Sequence, residues 1–131
     1  MKNINTKQKK QEPFSIVKRA KGFTYALRGV RVFVKSTHNM WIHIVVSVVV
    51  VVLGFMYNLN ESEWGLVIFA IGMVMTAEAF NTALEIDIDL TSPGYHELAR
   101  DTKDIAAGAV LIATLTAVAI GLIIFLPKIL L

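Results

Sequence analysis

Four polar side chains fall inside or beside a long apolar stretch of the chain: Glu78, Asn81, Glu85 and Asp89. Their spacing is three, four and four residues, so a helix places all of them on one face. A carboxylate at the centre of a membrane span costs about 2.5–3.5 kcal/mol on insertion scales, which makes such a residue functional by default. Glu78 and Glu85 lie toward one end of the apolar stretch, where the cost is smaller. Glu78 still requires a partner or a wet pocket. Glu78 can act as a general base, and Glu85 can ligate Mg²⁺, which prefers oxygen ligands and binds one or two carboxylates together with substrate phosphates.

A second polar group follows: Tyr95, His96, Glu97, Arg100, Asp101, Lys103 and Asp104. Lys103 suits a phosphate. Asp104 is suited either to hold Lys103 or to cap the next helix. Gly22, Gly29 and Gly94 are isolated, so no Gly-rich phosphate loop of the Walker type is present. His38 and His43 read as membrane-interface residues rather than metal ligands.

The elements that must position these groups follow from composition. The chain has 131 residues, 55% of them hydrophobic, with a mean hydropathy of +0.60 and no cysteine. One soluble core of this size cannot hide that much apolar surface. The absence of cysteine excludes a disulfide framework, a thiolate metal site and a cysteine nucleophile. The net charge of +3 conceals an asymmetry: ten of the 13 Lys and Arg lie in residues 1–35, and seven of the ten acids lie between Glu78 and Asp104. A basic arm followed by greasy segments points to anionic headgroups and ATP phosphates rather than to nucleic acid.

Residues 1–13 read as a disordered basic tail, and no signal peptide is expected, because the first apolar run begins near residue 41. Over 14–36, Ile16, Ala20, Phe23, Leu27, Val30 and Val34 form one apolar stripe, with Lys18, Arg19, Lys21, Arg28, Arg31 and Lys35 on other faces. This is an amphipathic helix of the kind that lies in the membrane interface. Spans are expected at about 41–57, 64–84 and 105–126, the first bracketed by Trp41 and Tyr57 and the last ended by Pro127. Residues 58–63 form a short acidic loop. Residues 85–104 form a polar connector with a turn at Ser92-Pro93-Gly94, and its far end is suited to a short helix leading into the third span. The positive-inside rule puts the N-terminus and the connector in the cytoplasm and the C-terminus outside. Small residues at Gly72, Thr76, Ala79 and Ala83, and at Ala106, Ala109, Ala113 and Ala117, permit close helix packing. The expected fold is therefore all-α and integral to the membrane: a surface helix plus three transmembrane helices.

Two segments carry a more specific signal. Glu78-Ala79-Phe80-Asn81-Thr82-Ala83-Leu84-Glu85, followed by Asp89, and Tyr95-His96-Glu97-Leu98-Ala99 with Lys103-Asp104-Ile105-Ala106-Ala107-Gly108-Ala109-Val110 resemble the prokaryotic diacylglycerol kinase family, which includes undecaprenol kinases. The resemblance covers roughly residues 15–126. It implies a homotrimeric kinase of the bacterial inner membrane that transfers the γ-phosphate of Mg-ATP to a lipid hydroxyl. In that pattern Glu78 matches the catalytic base, Glu85 a metal ligand, and Asn81 and Asp89 polar active-site positions. Lys103 and Asp104 match a nucleotide-contacting pair, Gly94, Tyr95 and His96 the adjoining loop, and Lys18 and Tyr25 nucleotide-side positions of the surface helix.

One departure stands out. The family's second metal-binding Glu falls at Thr37 here, whose hydroxyl carries no charge; Glu97, Asp101 or a neighbouring protomer would have to compensate. Trp41 also replaces an Arg found in many relatives. Diacylglycerol, giving phosphatidic acid, is the expected acceptor. Undecaprenol, giving undecaprenyl phosphate, is the alternative. A small proton-coupled transporter would also use a membrane Glu, but its acid is expected at the midplane and not at one face. A purely structural membrane protein would not need the aligned Glu78, Asn81 and Glu85.

Overall fold

A computed structural model describes residues 15–36 and 38–130, and among these the chain is helical without a strand. Four helices follow in order: α1 (Ile16–Ser36), α2 (His38–Met56), α3 (Glu61–Thr91) and α4 (Glu97–Leu130). The basic tail and Thr37 lie outside the described residues. The chain divides into two compact units after Arg31. In the first, α1 leaves the stripe residues Ile16, Phe23, Leu27 and Val30 exposed. The second contains α2, α3 and α4, each long and apolar enough to cross a membrane.

Helix α2 is built largely from valine, a residue that in water favours strands. In lipid no water can satisfy the backbone, so a lone apolar segment must bond to itself as a helix. The hydroxyls follow the same rule. Ser47 donates to His43 O at 2.7 Å, Thr76 to Gly72 O at 2.8 Å and Thr116 to Ile112 O at 2.9 Å.

A tight turn reverses the chain between α2 and α3. Asn58 adopts φ 48°, a left-handed conformation that Asn tolerates. Leu59 N–H donates to Gly54 O at 3.1 Å and Asn58 N–H to Phe55 O at 3.3 Å, which together close the end of α2. Asn60 then caps α3: its side chain accepts from Glu63 N, and the Glu63 carboxylate accepts from Asn60 N. The expected acidic loop is thus partly the first turn of α3, where acids also complement the helix dipole.

Helix α3 is central, packing along α4 and against α2. At the turn end, Leu59, Val67, Ile124 and Phe125 form a buried cluster, with the Tyr57 and Phe125 rings edge to face at 6.3 Å. Helix α4 does not stop at Pro127 but continues to Leu130. The added turn carries Lys128 to Glu63, 3.1 Å away. That ion pair ties the last turn of α4 to the first turn of α3.

The polar connector is also mostly helical. Helix α3 runs to Thr91 and α4 begins at Glu97, so only 92–96 are non-helical. Polar side chains alone do not end a helix; Pro93 and Gly94 do.

Gly54 meets the Trp64 ring, and a Cβ built there would lie 2.7 Å from the ring edge. Gly54→Ala should therefore lower stability by about 1–3 kcal/mol through overpacking. Thermal unfolding in detergent measures this, and Trp64→Leu in the same chain should recover part of the loss. An unchanged midpoint for Gly54→Ala would show that the ring moves aside freely.

Candidate active site

Because α3 is unbroken, Glu78, Asn81, Glu85 and Asp89 do occupy one face of a single helix. Glu85 lies seven positions beyond Glu78, about 10 Å along the axis. Environment changes along this face. Glu78 is 3% exposed, Glu85 is half-buried and Asp89 is exposed.

Each of these groups has its own partner. The Glu78 carboxylate meets His43 of α2, with Nε2 and Oε1 2.9 Å apart. Asn81 Nδ2 donates to Glu85 Oε1 at 3.1 Å. Lys103 Nζ, from α4, donates to Asp89 Oδ1. Two buried oxygens, Asn81 Oδ1 and the Thr82 hydroxyl, have no partner among the described residues.

Around the α3–α4 turn, Ser92, Gly94, Tyr95, His96, Lys103 and Asp104 line an open groove of about 210 Å³. The fold therefore gathers the loop residues and the Lys-Asp pair that the sequence singled out. The pairing within the groove differs from the expected one. Asp104 neither holds Lys103 nor caps α4. It lies two turns inside α4 and pairs with Arg100 one turn earlier, at 3.5 Å. Lys103 faces α3 instead, because the helices meet there and Asp89 lies opposite. Glu97 opens α4 and Asp101 follows one turn later, both exposed. Lys18 and Tyr25 lie on α1, in the first unit.

The oxygen donors suit a magnesium ion brought in on phosphates better than a resident ion. No three His, Asp or Glu side chains converge among the described residues. Glu85 nonetheless offers a half-buried carboxylate beside Asn81, and Mg²⁺ completes its shell from phosphates and water.

His43 was not foreseen as a site residue. It lies 35 positions from Glu78. The available signal was the hairpin itself: His43 stands 13 residues before the end of α2, and Glu78 stands 17 after the start of α3. Antiparallel helices joined by a tight turn bring such positions to within about one helical turn of the same depth. Which side of α2 faces α3 is not readable from a valine run.

Three membrane-length helices with a carboxylate-bearing face at one end define an integral-membrane protein with a polar site at its surface. Known proteins make the class specific. Residues 24–125 match the family model for prokaryotic diacylglycerol kinase. The chain is 37% identical over 108 residues to an undecaprenol kinase of Bacillus subtilis, covering 82% of this chain and 88% of that protein. It is 38% identical over 109 residues to a diacylglycerol kinase of Synechocystis, covering 82% of this chain and 62% of that one. A diacylglycerol kinase of Escherichia coli is 30% identical over 104 residues, 74% of this chain and 85% of its own length. The chain belongs to the prokaryotic diacylglycerol kinase family: it is a membrane lipid kinase that transfers phosphate to a hydroxyl group.

The Lys103–Asp89 pair is largely exposed, and exposed pairs contribute little to stability. A double-mutant cycle with Lys103→Met and Asp89→Asn should give a coupling below about 1 kcal/mol in detergent unfolding. A larger coupling would mark the pair as a structural clamp instead of a cation held ready in the groove.

Proposed function

We propose that the chain uses Mg-ATP to phosphorylate the hydroxyl of diacylglycerol, giving phosphatidic acid. The observation that carries this reading is the graded polar face of α3, with a buried carboxylate at Glu78, a half-buried one at Glu85 and an exposed one at Asp89. A lipid hydroxyl comes from the bilayer side and a nucleotide from water. A face that runs from buried to exposed meets both.

In this reading Glu78 takes the proton of the acceptor hydroxyl as the oxygen bonds to the γ-phosphorus and the bond to the β-phosphate oxygen breaks. Glu85 would hold Mg²⁺, which when bound neutralises phosphate charge, and Asn81 would fix the Glu85 carboxylate through its amide nitrogen. Lys103 adds a cation beside the groove, and Asp89 fixes its position. Gly94, Tyr95 and His96, with Asp104, form the nucleotide side of the turn, and Lys18 and Tyr25 of α1 match nucleotide-side positions of the family. Thr37 matches the family's second acidic metal position in sequence, and Glu97, Asp101 or a neighbouring protomer supplies the missing negative charge.

Residues 14–131 act as one membrane kinase domain behind a basic tail, in the inner membrane, with the N-terminus cytoplasmic. The assembly is a homotrimer. An open groove along α3 and α4, lined by Gly72, Thr76, Ala77 and Ala109, supports close packing of further helices there.

A second acceptor has its own support. The Bacillus relative named undecaprenol kinase is covered over 88% of its length. Undecaprenol likewise presents a primary hydroxyl on an apolar body.

Transfer of label from γ-labelled ATP in detergent–lipid micelles tests the proposal, with both lipids offered in parallel and Mg²⁺ present or chelated. We expect labelled phosphatidic acid that depends on Mg²⁺. Glu78→Gln should lower turnover by about 10²–10⁴-fold while the protein stays folded. Preferential labelling of undecaprenol would move the acceptor to the second reading. Near-normal turnover in Glu78→Gln would remove Glu78 from the role of base.

A further inference from the structure

The hydrogen bond between His43 and Glu78 joins a residue expected to anchor the interface to the proposed base. We propose that His43 is a positioning residue: its Nε2–H holds Glu78 Oε1 and leaves Oε2 to accept the proton of the lipid hydroxyl. The inference deepens the kinase reading above and rests on Glu78 being its base.

The neighbours of Glu78 offer no substitute for His43. The Asn81 amide is committed to Glu85, and Lys103 to Asp89. The Thr82 hydroxyl, one turn along the same helix, is buried without a partner. Among the described residues His43 is the one group that hydrogen-bonds the Glu78 carboxylate. A buried carboxylate deprived of its donor is expensive, and its three side-chain torsions are free to turn it away.

The surroundings also suit orientation. The His43 ring is 20% exposed and lines one end of a cavity of about 190 Å³. That cavity is walled mainly by apolar side chains, including Val46, Val50, Val67, Val74 and Ile120. With few polar competitors nearby, a single donor orients its acceptor strongly. The bond spans two helices, so it fixes the carboxylate relative to α2 as well as α3.

The test uses full-length His43→Leu, His43→Gln, His43→Asn and Glu78→Gln in the same micelles. In His43→Leu, kcat should fall by about 10²-fold, as for a misplaced catalytic group, with KM for ATP and for lipid unchanged. His43→Gln should recover most of the loss, because its amide nitrogen reaches the place of the ring Nε2. His43→Asn is one methylene shorter and should not. Unfolding midpoints measured alongside separate this from a packing role. If His43→Leu does not fold, the contrast between Gln and Asn decides. The proposal is overturned if His43→Leu keeps kcat within about threefold of the parent, if Gln and Asn are equally impaired, or if activity simply follows the midpoint. Inactive Glu78→Gln beside active His43→Leu removes the role of His43 and leaves the base in place. Active Glu78→Gln removes the base, and the positioning role with it.

Discussion

The constraint on which this structure depends is that a backbone in lipid must satisfy its own hydrogen bonds. Helix α3 is the clearest consequence. It runs 31 residues without a break, about 46 Å, well beyond a hydrocarbon core of about 30 Å. The excess length is what places one helix face partly in the membrane and partly at its surface. Were α3 to end with its apolar residues near Leu84, Glu85 and Asp89 would lie on a loop, and their alignment with Glu78 would be lost.

A continuous helix also creates a cost, which is a carboxylate buried among apolar side chains. The fold meets it from a second helix and not from within α3. The short turn at 57–60 makes this possible, because it brings α2 back antiparallel and within reach. The Asn58 conformation, the Asn60–Glu63 cap and the close approach of Gly54 to Trp64 all serve that turn. Structure at one end of the hairpin thereby sets the geometry of the polar pair near the other. The Lys128–Glu63 bridge performs a related task for α4, tying its last turn to the start of α3.

At the site end, the α3–α4 turn works by economy. Only five residues separate the helices, so groups on both sides of Pro93-Gly94 face the same groove. Charge there is distributed in pairs: Lys103 to Asp89 across the helices, and Arg100 to Asp104 along α4. Both pairs are largely exposed to solvent. The deeper His43–Glu78 pair is shielded from water by contrast.

The sequence alone determined the membrane class, three spans, the aligned acids and the family, since hydropathy, helical period and motif spacing are local or one-dimensional properties. It also marked Ser92-Pro93-Gly94 as the turn, because proline and glycine fall together there, whereas Pro127 alone did not end α4. It misjudged how far the helices extend, since polar side chains in the connector did not end α3 or delay α4 and Pro127 did not end α4. What only the tertiary structure decided was partnership. Lys103 could have met Asp104 or Asp89, and His43 could have faced lipid. Rotation of each helix about its axis settles such choices, and that rotation is fixed by contacts between segments far apart in the chain. A valine run looks the same from every side; only its packing against α3 selected the side that carries His43.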